Sequence, residues 1–195
     1  MRGYSLVELL SVLALILTMM AVSVPVMDRS RQEGRVRGAA FHLASRCAWL
    51  RMTAVQRNAN AALRFVATGG SHSVQPFLDG DWDGVRSADI SAGRDPAIGG
   101  PMPMEALFPG TRFGFVPGCP LVDGSAVPAD ADPVRIGSAR MLVFTPDGAS
   151  SGGTLYLRGP STATSGYAVV MLAATGRTRV LRCQPGAGRW NAIGR

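Results

Sequence analysis

The sequence predicts an α+β protein, in which one long N-terminal helix precedes a small body of two antiparallel β-sheets. Three observations lead to this prediction. An uncharged apolar run lies near the N-terminus, apolar residues then recur at helical spacing, and the period changes to two beyond Asn58. The 24 glycines and 13 prolines argue against an all-helical bundle, while 47% hydrophobic and 17% charged residues are typical of a globular chain.

The first half of the helix is apolar enough to cross a membrane. From Leu9 to Met27 there are 19 consecutive residues without a charge, which as a helix span about 28 Å, the thickness of a hydrocarbon core. A secretory signal has a shorter apolar stretch that ends at its cleavage site, whereas here the small residue typical of processing, Gly3, precedes the run. We therefore expect a retained membrane helix over about residues 9–27.

Glu8 is a charge at the edge of this run. An unpaired carboxylate inside a membrane helix costs on the order of 3 kcal/mol, so a retained one implies a partner. The alternative is a carboxylate that reaches the headgroup region near the helix N-terminus, where the helix dipole favours it.

The second half of the helix is amphipathic. Six residues recur at intervals of three and four and predict a helix that continues to about Arg57 and packs on the body: Val36, Ala40, Leu43, Cys47, Leu50 and Ala54. Gly34 and Gly38 weaken this helix. Cys47 lies on the apolar stripe, so we expect a buried and inert thiol, and we expect His42, one position off the stripe, to be structural.

Short runs with β-like composition follow the helix, separated by Gly, Pro, Ser and Asp. We predict seven strands, at Ala61–Val66, Val74–Leu78, Thr111–Val116, Met141–Thr145, Thr154–Arg158, Tyr167–Ala173 and Thr178–Cys183. Between about residues 79 and 132 lies a long connection with little periodicity, and connections of this length are usually functional or mobile.

The formal net charge of +7 is unevenly distributed along the chain. All 20 basic residues are arginine. The connection over residues 79–132 holds nine of the 13 acidic residues and only three arginines. After Pro133, eight arginines accompany a single acid, Asp147. The basic excess of the body therefore lies in its C-terminal third, where it suggests a polyanionic partner.

The N-terminal segment resembles a known processing signal. Gly3-Tyr4-Ser5-Leu6-Val7-Glu8-Leu9-Leu10 resembles the class III signal of type IV pilins and type II secretion pseudopilins, with glutamate at the fifth position of the processed chain. Pro25 falls at the twenty-second position, where these families often carry a proline. The resemblance implies that prepilin peptidase removes a leader of residues 1–3, cutting after Gly3 and N-methylating Tyr4, and that Glu8 pairs with the terminal amine of a neighbouring subunit. The helix of the processed chain then covers residues 4–57, and the body residues 58–195.

The C-terminal third is similar to one branch of these families. Phe144–Gly148, Ser151–Leu155, Ala173–Val180 and the helix segment Ala44–Asn58 resemble the H-type pseudopilins and FimT-type minor pilins. The resemblance implies a non-enzymatic filament subunit in the bacterial inner membrane, with a single membrane pass and its body in the periplasm or in a pilus at the cell surface. Its implied partners are other pilin or pseudopilin subunits, prepilin peptidase and, in a secretion system, secreted proteins.

Gly176-Arg177-Thr178-Arg179 is the candidate ligand site. Gly176 allows a turn with positive φ, Arg177 and Arg179 point to one face of the following strand about 7 Å apart, and Arg182 points to the other face. Two guanidiniums at a hairpin can each bind a phosphate. In the FimT branch a GRxR motif here is associated with DNA capture during natural transformation, and the resemblance implies that role for Arg177 and Arg179. Gly176 and Arg182 are further candidate DNA-binding residues. The alternatives are a solvated arginine face or ion pairs with the acidic connection.

Three aspartates form a candidate metal site. Asp79, Asp81 and Asp83 have the D-x-D-x-D-G spacing that can surround a calcium ion, but the twelfth position of a full EF-hand loop is Ile90 rather than glutamate. An acidic solvated turn is the alternative, so calcium is the only cofactor that the sequence suggests.

The remaining candidate residues are cysteines and histidines. In an oxidising compartment we expect Cys119 and Cys183 to form a disulfide, leaving Cys47 free. We predict no enzymatic activity, because the chain has no G-x-S-x-G, P-loop or H-E-x-x-H motif and neither His42 nor His72 is flanked by a recognisable nucleophile. Two functions compete: a DNA-uptake minor pilin, and an H-type pseudopilin whose body makes protein contacts.

Overall fold

A single continuous helix forms the N-terminal quarter of the chain. The computed structural model describes residues 5–68, 71–137 and 139–194. Helix α1 extends over Leu6–Arg57, without a break at either helical glycine. The Ser5 hydroxyl accepts a hydrogen bond from the Val7 amide and caps its start, and Asn58, with φ 48°, ends it in the left-handed region.

The two halves of α1 differ in burial. The apolar side chains described between Leu6 and Met27 are exposed, and the helix is long and apolar enough to cross a membrane. In the second half, one face is fully buried against the body: Val36, Ala39, Ala40, Leu43, Cys47, Leu50 and Ala54. Gly38 lets α1 approach the Phe108 ring, because a Cβ there would lie 3.3 Å from a ring carbon.

Two antiparallel sheets form the body, as predicted. The first has the strand order β3-β2-β1-β6, with β1 Ala61–Thr68, β2 Ser71–Leu78, β3 Met102–Pro103 and β6 Met141–Phe144. The second has the order β10-β9-β8-β7-β4, and β5 also pairs with β7. Its strands are β4 Arg112–Phe113, β5 Val134–Arg135, β7 Gly153–Arg158, β8 Gly166–Met171, β9 Thr178–Cys183 and β10 Asn191–Ala192.

The main core lies between the buried face of α1 and the inner faces of both sheets. Leu63 and Phe65 of β1 join Leu142 and Phe144 of β6 in this core, together with residues of β7, β8 and β9. The predicted α+β layout, one helix packed on two antiparallel sheets, is confirmed in these residues.

The middle connection is more ordered than the sequence suggests. Between residues 79 and 132 lie α2 (Ser87–Ala92), β3, α3 (Met104–Leu107) and β4. Met104 and Phe113 from this segment are buried in the main core. Four of the buried polar side chains also belong to it, namely Asp79, Asp89, Asp95 and Thr111, so polar contacts hold much of it in place.

The strand predictions differ from the structure mainly in the short elements. All seven predicted runs contain strands, but Thr111–Val116 shortens to the two residues of β4. The two-residue strands β3, β5 and β10 were not predicted, because two residues cannot show a period of two.

Candidate functional site

The turn before β9 is built by glycine and by close packing of two loops. A 3₁₀ turn, Ala173–Thr175, leads into Gly176, which has φ 58° and donates its amide hydrogen to the Leu172 carbonyl at 2.8 Å. A Cβ on Gly176 would lie 2.3 Å from the carbonyl oxygen of Gly148. Glycine is therefore required here both for the backbone conformation and for the contact with the neighbouring turn.

Arg51 of α1 braces this pair of turns. Its Nε donates to the Gly148 carbonyl at 2.8 Å, and its Nε and Cδ lie 3.0 Å from the position that a Gly176 Cβ would occupy. The helix thus brings a third guanidinium to the base of the Gly176 turn. The sequence does not identify Arg51 as a functional residue. The helical period places it only beside the buried stripe and gives no sign of its contact with Gly148.

Arg177 and Arg179 are exposed and unpaired within the described part of the chain. Arg179 lies on the outer face of β9, and Arg177, which immediately precedes this strand, lies two residues before it in the chain. No carboxylate of the described residues lies within ion-pair distance of either; the acids of the middle segment pair with other arginines, among them Arg86, Arg94 and Arg112. The predicted alternative of ion pairs from these two arginines to the acidic connection is therefore not seen in residues 5–68, 71–137 and 139–194.

Arg182 has a different position from the one expected of a ligand-binding residue. It lies on the opposite face of β9, where its Nη2 is 3.0 Å from Glu33 Oε1 and its Nε donates to Ser165 Oγ at 3.0 Å. Because its guanidinium already binds two partners, we remove Arg182 from the candidate DNA-binding set and assign it to the attachment of α1 to the sheet.

Glu33 is the centre of that attachment. Its Oε1 also accepts a hydrogen bond from the Tyr167 hydroxyl at 2.7 Å, and its Oε2 accepts one from the Ser165 amide at 2.9 Å. Partial burial alone would raise the pKa of Glu33, but the hydrogen bonds from Tyr167 and Ser165 and the charge of Arg182 outweigh it and hold the pKa below its usual value. Burial and the contact with Glu33 raise the pKa of Tyr167.

The three aspartates of the D-x-D-x-D-G motif come together, and each of them already has partners within the chain. Carboxylate oxygens of Asp79, Asp81 and Asp83 lie within 4.8 Å of one another, a spacing at which oxygen ligands can surround a hard cation. Asp79 is buried and accepts hydrogen bonds from the Trp82 and Gly84 amides at 2.8 and 2.9 Å, as well as from Asn60 Nδ2 at 2.9 Å.

The electrostatics of these aspartates follow from their neighbours. Burial would raise the pKa of Asp79, but the hydrogen bonds that it accepts from the Asn60 side chain and the Gly84 and Trp82 amides lower it overall. Desolvation and the hydrogen bond with Asp81 raise the pKa of Asp83 despite the nearby Arg86. The loop is thus held by hydrogen bonds to the buried Asp79 carboxylate, while Asp81 and Asp83 lie nearer the surface and pair with Arg94 and Arg86.

The cysteines lie where the sequence analysis places them. Cys119 and Cys183 are joined in a disulfide that packs beside Val116 and Trp190. Cys47 is free and buried on α1, and burial raises the pKa of its thiol to about 12, which leaves it protonated and unreactive at neutral pH.

The two histidines contact aromatic rings. His42 lies 5.6 Å from the Phe108 ring and His72 lies 4.9 Å from the Phe113 ring, measured between centroids. Burial lowers the pKa of both imidazoles. These contacts fit packing roles.

The processing residues can be assessed only in part. Gly3 and Tyr4 lie outside the described residues. Glu8 lies in the first turn of α1, exposed, immediately after the Ser5 cap.

An exposed apolar stripe on α1 was missed by the sequence analysis. Phe41, Trp49, Met52 and Val55, here called the outer stripe, are between 36% and 51% exposed and lie opposite the buried face. Arg37 lies 5.6 Å from the Phe41 ring centroid and Arg46 lies 5.8 Å from that of Trp49. Their spacings of eight, three and three residues place them on one side of a helix, and this is the signal in the sequence that could have revealed them.

The fold and these contacts define a class of protein: a helix long and apolar enough to cross a membrane, continuous with an α+β body that carries an exposed arginine turn. No family model, curated protein or solved structure matches the chain. Its function is therefore inferred from its own residues.

Proposed function

We propose that this protein is a minor pilin or pseudopilin, anchored in the bacterial inner membrane by the first half of α1 and assembled into a filament through that helix. The continuity of α1 supports this proposal, because one rigid element carries both an apolar segment and the body. The outer stripe adds further support, because it places a second exposed apolar surface on the part of α1 that is packed on the body. Exposed apolar patches of this kind typically mark interfaces.

The body of this subunit binds duplex DNA through Arg177 and Arg179. The observation that carries this step is the pair of exposed arginines at the start of β9, which have no carboxylate partners among the described residues. Gly176 and Arg51 hold the preceding turn, so the backbone that carries Arg177 and Arg179 is fixed by packing. Paired, unneutralised guanidiniums bind phosphates by charge-assisted hydrogen bonds without sequence preference.

Binding of the full chain to DNA tests this role. The protein, in non-ionic detergent, is titrated onto a fluorescent duplex between 50 and 300 mM salt. We expect Arg177→Ala and Arg179→Ala each to weaken binding for every duplex sequence and to reduce the salt slope by about one. Arg64→Ala is the matched control, because Arg64 lies on the first sheet in β1. Binding unchanged in the Arg177→Ala, Arg179→Ala double variant would rule out DNA binding through this turn.

The processing step has an independent test. Intact mass of the protein made together with a prepilin peptidase should correspond to a chain that begins at a methylated Tyr4. A mature chain that begins at any other residue would contradict assignment to the pilin class, whatever the result with DNA.

A second candidate function is an H-type pseudopilin of a type II secretion system, whose body contacts other proteins and not DNA. The outer stripe favours it, because Phe41, Trp49 and Met52 offer apolar rather than phosphate-binding surface. Correct processing together with no salt-dependent DNA binding would favour this second function over the first.

A further inference from the structure

The strand register of the second sheet aligns Arg135, which is distant in sequence, with Arg179. Arg179 of β9 lies opposite Val170 of β8, Val170 lies opposite Thr154 of β7, and Thr154 lies opposite Arg135 of β5. These four residues, here called the arginine row, cross four neighbouring strands. Three strand spacings separate its ends, so the two arginine Cα atoms lie about 14 Å apart.

The arginine row belongs to the outer face of the second sheet. The adjacent row, Val134, Leu155, Val169 and Val180, is buried in the main core beneath α1. Because successive side chains of a strand point to opposite faces, the arginine row points away from this core. The burial pattern agrees, since Arg135 and Arg179 are exposed while Thr154 and Val170 are half-buried.

Only part of this outer face is covered. The next outer row, which includes Tyr156, Ala168 and Leu181, packs beneath the loop that carries Leu121 and Val122. The covering loop therefore ends beside the arginine row. On the other side of the row, the Arg177 carbonyl accepts a hydrogen bond from the Leu172 amide. Gly152 has no side chain that could cover the row. Arg135 and Arg179 thus lie at the two ends of a row whose middle residues, Thr154 and Val170, carry no charge, and Arg177 lies two residues before Arg179.

Three acids lie near Arg135, namely Asp123, Asp130 and Asp132, and none of them lies within ion-pair distance of its guanidinium. Asp132 pairs with Arg140 at 2.6 Å, and Asp123 accepts hydrogen bonds from the Ser125 hydroxyl and amide at 2.6 and 2.9 Å. Arg135 contributes only a weaker attraction to the lowered pKa of Asp123, after those hydrogen bonds. Arg135 has no carboxylate within 4.0 Å in the described part of the chain, and its side chain is available to a ligand.

We propose that Arg135 is a phosphate-binding residue of the same surface as Arg177 and Arg179, so that duplex DNA lies across β9, β8, β7 and β5 rather than on the Gly176 turn alone. This inference rests on the proposed DNA-binding function. The span of about 14 Å between the ends of the row is comparable with the major-groove width of about 12 Å, which lets the two arginines contact both backbones of one duplex.

The test compares single variants of the full chain in non-ionic detergent, with a 30-base-pair duplex of mixed sequence as the probe. We expect Arg135→Ala to weaken binding about five- to tenfold at 0.1 M salt and to reduce the salt slope by about one, as for Arg179→Ala. Arg135→Lys should recover most of the affinity, because lysine keeps the charge. Arg64→Ala, which removes one charge from the other sheet, should stay within about twofold of the parent protein.

Each result decides one of the two proposals. If Arg177→Ala and Arg179→Ala weaken binding but Arg135→Ala behaves like Arg64→Ala, the DNA-binding function stands and the extended surface is wrong. If Arg135→Ala and Arg64→Ala weaken binding equally, Arg135 acts only through net charge, and the extended surface is again wrong. If the parent protein binds no duplex, the proposed function fails and the extended surface fails with it. Thermal unfolding of Arg135→Ala should match the parent, because the side chain is exposed.

Discussion

Replacement of Glu33 by alanine removes the polar contacts that fix α1 to β8 and β9. The carboxylate accepts hydrogen bonds from the Tyr167 hydroxyl and the Ser165 amide and pairs with Arg182. All three partners lie more than 130 residues from Glu33 in the sequence. The contacts of Glu33 therefore join α1 to the C-terminal part of the body. Their loss should loosen the helix where it leaves the body.

The expected cost can be estimated from these contacts. Two hydrogen bonds to a charged carboxylate contribute about 1.5 kcal/mol each at the low end of their range. The ion pair adds less than about 1 kcal/mol, because the side chains of Arg182 and Glu33 are 37% and 25% exposed and water screens their attraction. We therefore expect Glu33→Ala to lower the free energy of unfolding by about 3 kcal/mol, or the melting temperature by about 6–12 °C.

The assay is thermal unfolding of the full chain in detergent at neutral pH, followed by circular dichroism. Glu105→Ala is a matched control, because Glu105 also pairs with an arginine, Arg112, but in an exposed position. That control should lower the melting temperature by no more than about 2 °C. A melting temperature for Glu33→Ala within 2 °C of the control would refute the assignment of Glu33 as the attachment point of α1.

The effect should also depend on pH in a defined direction. Because the folded protein holds the pKa of Glu33 below its usual value, ionised Glu33 stabilises the fold above the pKa that this group has in the unfolded chain. This contribution disappears as the pH falls through the lower, folded-state pKa. The stability difference between the parent protein and Glu33→Gln should therefore be constant between pH 6 and 8 and shrink below about pH 4.5. A difference that stays constant to pH 3 would show that the charge of Glu33 is not its source.

Three further predictions concern the turn, the disulfide and the aspartate loop. Gly176→Ala should destabilise the fold by about 1–3 kcal/mol in denaturant unfolding and weaken DNA binding, because the turn must move; an unchanged midpoint would contradict this. Replacing both Cys119 and Cys183 by alanine should cost about 4 kcal/mol, because the disulfide closes a loop with a sequence separation of 64; a loss below 1 kcal/mol would oppose it. Asp79→Ala should cost about 2–3 kcal/mol in EDTA, whereas Asp83→Ala should leave the unfolding midpoint unchanged, and an Asp79 effect seen only with added calcium would instead indicate a metal site.

Much of the architecture could be predicted because it follows from local periodicity. The stripe from Val36 to Ala54 identified the buried face of α1, and the change of period after Asn58 identified the long strands. The elements that were missed are those without a local pattern. Strand β5 has two residues, and it is a strand only because β7 lies beside it.

The middle connection, residues 79–132, also could not be predicted from local sequence. Its length and weak periodicity predict a functional or mobile connection, whereas Asp79, Asp89 and Asp95 within it are buried. Each accepts hydrogen bonds from backbone amides or an arginine nearby in the loop. Composition cannot reveal that these aspartates are buried, because the free-energy cost of burying a carboxylate depends on whether hydrogen-bond donors surround it.

The sequence by itself determined the two-part helix, the antiparallel body and the alternation that places Arg177 and Arg179 on one face, since each depends on spacings of two to four residues. Only the tertiary structure decided which arginines remain free to bind a ligand. Arg182 pairs with Glu33 across 149 positions of chain, while Arg135 lies in register with Arg179 through two intervening strands. A guanidinium is neutralised or left exposed by whatever the fold places within a few ångströms of it, and that neighbour is set by packing between distant segments rather than by local sequence.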